Sequence, residues 1–314
     1  MISNCVKKEK LAFLDTIRLR RPKLLSIASC PVSGIFELFS DIYVLHIKAK
    51  DFLMTEDLRL SVSKTKTFLD CKAKYKFCYI EKLPRKDWDF HIFGKFCHSV
   101  LEFFHKQYIE GCLLPYNITM NDAFKHALAE FGEKMTPEMK KECWEIVDKY
   151  LRLVTKDKKS GLPLNVISVE KRFDFAIADN LVLNGAIDRI QMDADNVIHV
   201  ADYKTTKNKK YLKNDWFQLL TYAYVLHHED PTITKVRGSY VLLRHDFEYI
   251  TTEFSLADIL SVKDKFEAYA EQMRSETAFE PNPTNLCNYC DYLQQCPAGK
   301  SKAFDKQVYG EVNW

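Results

Sequence analysis

Two aspartates and a lysine occur at a spacing that suits metal-assisted hydrolysis. They lie in Gly185-Ala186-Ile187-Asp188-Arg189-Ile190 and in Ile198-His199-Val200-Ala201-Asp202-Tyr203-Lys204. Both stretches read as strands, so Asp202 and Lys204, two apart, share one face. The tract Asp193-Ala194-Asp195-Asn196 predicts the turn between them. With that turn centred near Ala194, Asp188 lies diagonally across from Asp202, at roughly 7–8 Å between Cα atoms. Two carboxylates so placed are hard oxygen ligands for Mg²⁺ or Mn²⁺, and the Tyr203 carbonyl offers a third oxygen. Lys204, a point charge beside such an ion, would orient an attacking water or stabilise a phosphorane. An Asp-x-Lys tripeptide alone is more often a solvated face with a surface ion pair. Here it ends an apolar strand and follows a second strand that carries its own aspartate.

A second constellation is made of thiols. Cys287-Asn288-Tyr289-Cys290 is a C-x-x-C, and Cys296 follows after five intervening residues. Cys71, inside Phe68-Leu69-Asp70-Cys71-Lys72-Ala73-Lys74-Tyr75, is the candidate for a fourth thiolate. Soft thiolates bind Zn²⁺ or an iron–sulfur cluster, and the spacing alone does not choose between them or exclude free thiols. A metal centre here would staple an early helix to the tail and close a very long loop. The other six cysteines (Cys5, Cys30, Cys78, Cys97, Cys112 and Cys143) are scattered, several in apolar periodic runs, and read as small buried apolar residues. Ten cysteines without a secretory leader do not suggest a disulfide framework.

The elements that must position these groups follow from the periodicity. A capped helix is expected from Ser61 or Ser63 to about Ile80, another from about 93 to 111, then helices near 119–132 and 136–155. The period then changes, and strands are expected at 165–175, 181–190 and 196–204. A helix at 214–228, strands at 236–243 and 248–254, and a helix at 256–274 complete the order. This order predicts an α/β domain, a mixed sheet flanked by helices, with a helical insertion between about 90 and 155 and a cysteine-rich C-terminal cap. Residues 1–53 differ in character and are set apart as an extension or an N-terminal subdomain, leaving 54–314 as the main domain. Net charge is only +3, so any polyanion site must be a local basic patch. No run of 18 apolar residues suggests a membrane helix.

The hairpin, Gly185 to Ile190 followed by Asp202-Tyr203-Lys204, resembles the core of the PD-(D/E)xK nucleases. Gly94-Lys95-Phe96-Cys97-His98-Ser99-Val100-Leu101-Glu102 resembles the helical motif of the RecB-like exonuclease branch. Gln218-Leu219-Leu220-Thr221-Tyr222 resembles that branch's Q-x-x-x-Y motif, and Val169-Glu170-Lys171 matches its acidic position on the preceding strand. The resemblance covers roughly residues 60–300. It implies a restriction-endonuclease-like fold, with His98, Asp188 and Asp202 as metal ligands, Lys204 as the catalytic lysine, and Gln218 and Tyr222 as support. Taken without the resemblance, His98 reads as a satisfied helix histidine, Tyr222 as core, and Glu170 as one half of a surface pair with Lys171 or Arg172. One cysteine before the core and three after it are similar to the [4Fe–4S] arrangement of the CRISPR-associated and AddB-like nucleases. Lys72 departs from it, standing where that family has proline.

The resemblance further implies a cytoplasmic, bacterial or phage-encoded deoxyribonuclease, exonuclease-like, acting in recombination, repair or phage DNA processing. A helicase or recombinase partner enters by analogy only. DNA contacts are expected at Lys72, Lys74, Lys76, Lys82, Arg85 and Lys86 with Tyr75, Phe77 and Tyr79 interleaved, and at Lys207, Lys209, Lys210 and Lys213. Two other functions stand beside this one: a catalytically silent DNA-binding scaffold with the same fold, and a zinc-binding interaction protein.

Overall fold

A short strand, β1 (Leu58–Leu60), leads into helix α1 (Val62–Asp70), whose first turn is capped by the Ser61 hydroxyl accepting from the Lys64 amide at 3.2 Å. The computed structural model describes residues 57–109, 116–156, 165–209 and 215–299. The stretch 1–53, with Cys5 and Cys30, lies outside the described residues, as do Cys112, Lys210 and Lys213. The single helix expected up to Ile80 is broken. Cys71 is extended (φ −162°), its thiol accepts from the Lys74 amide, and a new helical stretch, α2 (Lys72–Tyr75), runs on into a π-helical segment, Lys76–Ile80. Apolar spacing continues across the break through Phe68, Tyr75 and Tyr79, which is why the pattern reads as one helix.

Helices α3 (Asp89–Ile109), α4 (Tyr116–Phe131) and α5 (Pro137–Lys156) form the expected helical insertion. Three strands follow: β2 (Asn165–Ala178), β3 (Leu181–Met192) and β4 (Ile198–Lys204). Helix α6 (Phe217–Glu229), strands β5 (Val236–Leu242) and β6 (Glu248–Phe254), and helix α7 (Leu256–Ser275) complete the core. A reciprocal box between Ser255 and Asp258 starts α7. The strands make one mixed sheet in the order β1-β3-β4-β5-β6, with β2 also paired to β3.

Strand β3 has three partners. β2 runs antiparallel along its whole length. On the remaining edge β1 lies parallel to Leu181–Leu183, while β4 lies antiparallel to Arg189–Met192. Residues 184–188 therefore face a fork between β1 and β4 on that edge. The β3–β4 register, Arg189 with Ala201 and Ile190 with Val200, places Asp188 directly opposite Asp202, not diagonally across from it. The one-residue difference comes from the turn, which spans Asp193–Val197 and passes through Asn196 in the left-handed region (φ 61°).

Helices cover both faces. On one, Phe68 of α1, Leu219 and Val225 of α6 and Phe266 of α7 pack with Ile187, Ile190 and Val200 of the sheet. On the other, Phe96 and Val100 of α3, Ala123 of α4 and Val147 of α5 pack with Ala201, Tyr203 and Val241. This is the expected α/β class: a mixed sheet flanked by helices. Gly238 sets the closeness of α6, because a Cβ there would stand 2.7 Å from a Phe254 ring carbon and 3.1 Å from Leu219 Cβ. Among the described residues no helix is long and apolar enough to cross a membrane.

The tail returns to the start of the domain. Asn282 donates to the Asp70 carbonyl (3.0 Å), Tyr292 OH to the Leu83 carbonyl (3.2 Å), and Trp88 Nε1 to Asp291 (2.6 Å). Tyr75 is 4% exposed and stacks on Phe279, Phe77 packs on Tyr292, and Tyr79 packs against the buried core. Tyr75 and Phe77, expected to stack on unpaired bases, tie the tail to the helices, and the burial of Tyr75 withdraws its ring from such stacking.

Candidate active site

The fork in the sheet lets a helix from each face reach the same pair of strands. From α3, the His98 Nε2 lies 3.0 Å from the Tyr203 carbonyl, and its Nδ1 lies 3.4 Å from Asp188 Oδ2. A carbonyl only accepts, so Nε2 carries a ring hydrogen and Nδ1 is the nitrogen turned to Asp188. The contact between Nδ1 and Asp188 Oδ2 joins a basic nitrogen to a carboxylate, so it is bridged by a proton or by a cation. Glu170 joins them: ligand atoms of His98, Glu170 and Asp188 all lie within 4.8 Å of one another.

Glu170 reaches this position at a backbone cost. Its neighbours pair regularly, Val169 with Arg189 and Lys171 with Ile187, and Glu170 itself, opposite Asp188, has φ 45°. A non-glycine residue in that region costs on the order of 1 kcal/mol. Lys171, the expected surface partner of Glu170, pairs with Glu229 at 3.1 Å instead. Burial, with the Asp188 carboxylate beside it, pushes the Glu170 carboxyl up to about 7. Burial likewise pushes Asp188 up to about 6, against the pull of His98 and with the push of Asp202.

These shifts have a defined sign. Both carboxyls bind protons more tightly in the folded chain than near 4, where unfolded Asp and Glu titrate. The native state therefore holds the extra protons between about pH 4 and pH 7, and stability from these groups is lost as pH rises through that window. In EDTA, the melting temperature of the wild type should fall relative to a Glu170→Gln/Asp188→Asn double variant between about pH 5 and pH 7.5. Parallel melting curves would contradict the assignment. Mn²⁺, which takes deprotonated ligands, should reverse the trend at the upper end.

Asp202 belongs to a second group. Its side chain is nearly fully buried. Gln218 Nε2 donates to Asp202 Oδ1 at 2.5 Å and to Tyr222 OH at 2.7 Å, and Tyr222 OH lies 3.5 Å from the same Oδ1. Lys204 Nζ pairs with Asp202 Oδ2 at 2.7 Å and donates to Gln218 Oε1 at 3.0 Å. The Gln218 amide has one allowed orientation, because an ammonium only donates and a carboxylate only accepts. Burial, with Asp202 near, raises the Tyr222 phenol far above its ordinary range, so it remains a donor. Asp202 Oδ2 is buried without a well-directed hydrogen bond, although the Lys204 ion pair touches it. The short separation gives the attraction, and the poor alignment leaves that oxygen with acceptor capacity to spare. Tyr240, directly across from Asp202 on β5, carries Lys204 over its ring at 5.0 Å. Alternation on β5 was the sequence signal for Tyr240, and it is the one contributor to this group that the sequence reading lacks.

The donors present suit a hard divalent cation: carboxylates of Glu170 and Asp188, one imidazole nitrogen, and the buried Asp202 nearby. The Tyr203 carbonyl, expected as an oxygen ligand, faces His98 Nε2, while the Tyr203 amide donates to Asp188 Oδ2 at 2.9 Å. Its position is that of an orienting partner behind two candidate ligands.

Cys71, Cys287, Cys290 and Cys296 line one pocket, together with Lys74, Phe77 and Tyr292. The four thiols thus come from both ends of the described domain to one place, as their types and spacing suit. Cys97 and Cys143 are fully buried, with their Sγ atoms 2.7 Å apart between α3 and α5. Of the second basic cluster, Lys207 is exposed and Lys209 pairs with Glu248.

The chain is 29% identical over 189 residues to one of the subunits of the ATP-dependent helicase/deoxyribonuclease of Streptococcus agalactiae, in each of three strains. The alignment takes 56% of this chain and spans only 17% of those relatives' length. Among solved structures, a candidate exonuclease from Eubacterium rectale superposes with a TM-score of 0.44 at 13% identity, over 81% of this chain and 92% of that one. SSO0001 superposes at 0.38 and 14%, over 83% and 98%. Residues 59–297 match the PD-(D/E)XK nuclease superfamily, and the chain belongs to that superfamily.

Proposed function

We propose that this domain is a divalent-metal-dependent deoxyribonuclease, acting as an exonuclease on single strands or duplex ends in recombination, repair or phage DNA processing. The observation that carries this reading is the juxtaposition of His98 Nδ1, Glu170 and Asp188, lone pairs and carboxylates gathered around one point. A Mg²⁺ or Mn²⁺ ion held by these residues, with Asp202 beside them, would supply Lewis acidity and a water of lowered pKa. The chain's own groups supply the rest. Tyr203 fixes the His98 tautomer. Gln218 and Tyr222 hold Asp202 in place. Lys204 donates one hydrogen to Gln218 and lies in ion-pair contact with Asp202, which leaves donor capacity for a phosphate oxygen or the attacking water. Lys207, exposed three positions after Lys204, is a candidate cation for the phosphate backbone.

The four cysteines are proposed to hold a [4Fe–4S] cluster, which would serve as a staple and not as part of the hydrolysis. What supports this is that four soft donors line one cavity, on segments already clipped together by Asn282, Tyr292 and Trp88. The name of the streptococcal relatives joins a helicase to a deoxyribonuclease, so a helicase is the class of protein partner proposed.

Anaerobically purified protein should degrade end-labelled single-stranded DNA with Mg²⁺ or Mn²⁺ and leave it intact in EDTA. No cleavage of single strands or duplex ends with either ion would reject the catalytic reading and leave the DNA-binding scaffold. Gln218→Leu should lower kcat by about 10–100-fold, as loss of an outer partner does at metal sites. An unchanged kcat would remove Gln218 from the machinery.

A further inference from the structure

Arg189 is completely withdrawn from solvent, at 0% exposure. Alternation along β3 sends it to the face opposite Asp188. There its Nη1 donates to Tyr150 OH and, at 3.1 Å, to Tyr203 OH, while Nη2 donates to Tyr249 OH at 3.0 Å. The guanidinium also lies 5.4 Å from the Tyr203 ring centre and 5.9 Å from that of Tyr249. The buried Nε has no hydrogen-bond partner. Among the described residues no carboxylate forms an ion pair with Arg189. A buried cation without a counter-ion is an unfavourable way to fill a core, and an apolar side chain of similar volume would fill it better.

We propose that Arg189 is a positioning residue for the metal pocket and acts through Tyr203. The β3–β4 ladder stops at Arg189 and Ala201, so on this edge no strand hydrogen bond holds the Tyr203 amide or carbonyl. They are engaged instead by the pocket: the amide donates to Asp188 Oδ2 and the carbonyl accepts from His98 Nε2. One residue thus aims two ligand side chains from its backbone, and Arg189 grips that residue by its hydroxyl and its ring. The planar fork matters here: one arm reaches Tyr203 while the other anchors to Tyr249, which an ammonium cannot reproduce. The inference rests on the reading of His98 and Asp188 as metal ligands.

The test is Mn²⁺ binding by electron paramagnetic resonance, with melting temperatures, on the full chain. Tyr203→Phe keeps the ring and backbone and loses the hydroxyl. It should weaken Mn²⁺ binding by about 10-fold or more. Arg189→Lys should do the same, and the double variant should be no weaker than either single one, since both break one linkage. Val262→Ala, which thins the core beneath α7 on the other face, should lower the melting temperature and leave Mn²⁺ affinity within about two-fold. Wild-type binding with Tyr203→Phe unchanged, or affinity that falls with melting temperature in all variants alike, would overturn the clamp alone. Wild-type protein that takes up no Mn²⁺ would overturn the ligand assignment and the clamp together.

Discussion

Lys204→Met is expected to lower DNA cleavage by about 10²–10³-fold, the typical loss when one fixed donor to a developing charge is removed. Methionine approximates the length of the side chain without its charge, and Lys204 is partly exposed at the edge of the site, so the fold should persist. The effect should be confined to kcat. Lys204 touches Asp202 and Gln218, whereas the gathered ligand atoms belong to His98, Glu170 and Asp188. Removing a positive charge next to Asp202 cannot weaken attraction for a cation there, so Mn²⁺ affinity should hold or rise. Asp188→Asn should show the opposite pattern, with Mn²⁺ affinity lost first. Cleavage by Lys204→Met at the wild-type rate would sink the role given to this lysine.

Cys290→Ser should strip the protein of its metal centre and lower its stability by several kcal/mol. The three hydrogen bonds that clip the tail to residues 70–88 contribute about 0.5–1.5 kcal/mol each. A centre bound to Cys71 and to three tail thiols would close a loop of more than 200 residues and dominate those bonds. Visible absorption with iron, sulfide and zinc analysis on anaerobic protein gives the readout. About four irons per chain in the wild type and none in Cys290→Ser is the expected result. Zinc without iron would keep the staple and discard the cluster. Unchanged metal content in a soluble Cys290→Ser variant would refute the ligand role of this cysteine.

Much of this was legible in the residues. Strong alternation from 165 to 204 and the apolar periods of 217–229 and 256–275 report burial on a sheet and on helices, and the fold class follows from their order. The pair Asp202 and Lys204 needed only the two-residue period of a strand to share a face, and Gln218 and Tyr222 only the helical one. What escaped the sequence depends on backbone geometry or on distant partners. The break at Cys71 comes from a thiol capping an amide, which hydrophobic spacing does not register. The hairpin register moved by one because Asn196 adopts a positive φ. Glu170, beside Lys171 and Arg172, looks like a surface acid until the β2–β3 register sets it opposite Asp188. Arg189 has no reading of its own in the sequence, because its burial depends on tyrosines 39 and 60 positions away.

The forked edge of β3 has a consequence for traffic. Opening a gap in an intact sheet means unzipping a ladder, bond by bond. Here the gap between β1 and β4 along residues 184–188 already exists, and β2 braces the opposite edge of β3 throughout. The two strand ends can spread and close again without breaking a main-chain hydrogen bond between them. The pocket can breathe on the timescale of side chains and strand ends while the long β2–β3 hairpin stays rigid behind it. On the proposed reading, an ion entering or leaving the pocket would leave the sheet's hydrogen bonds unaltered.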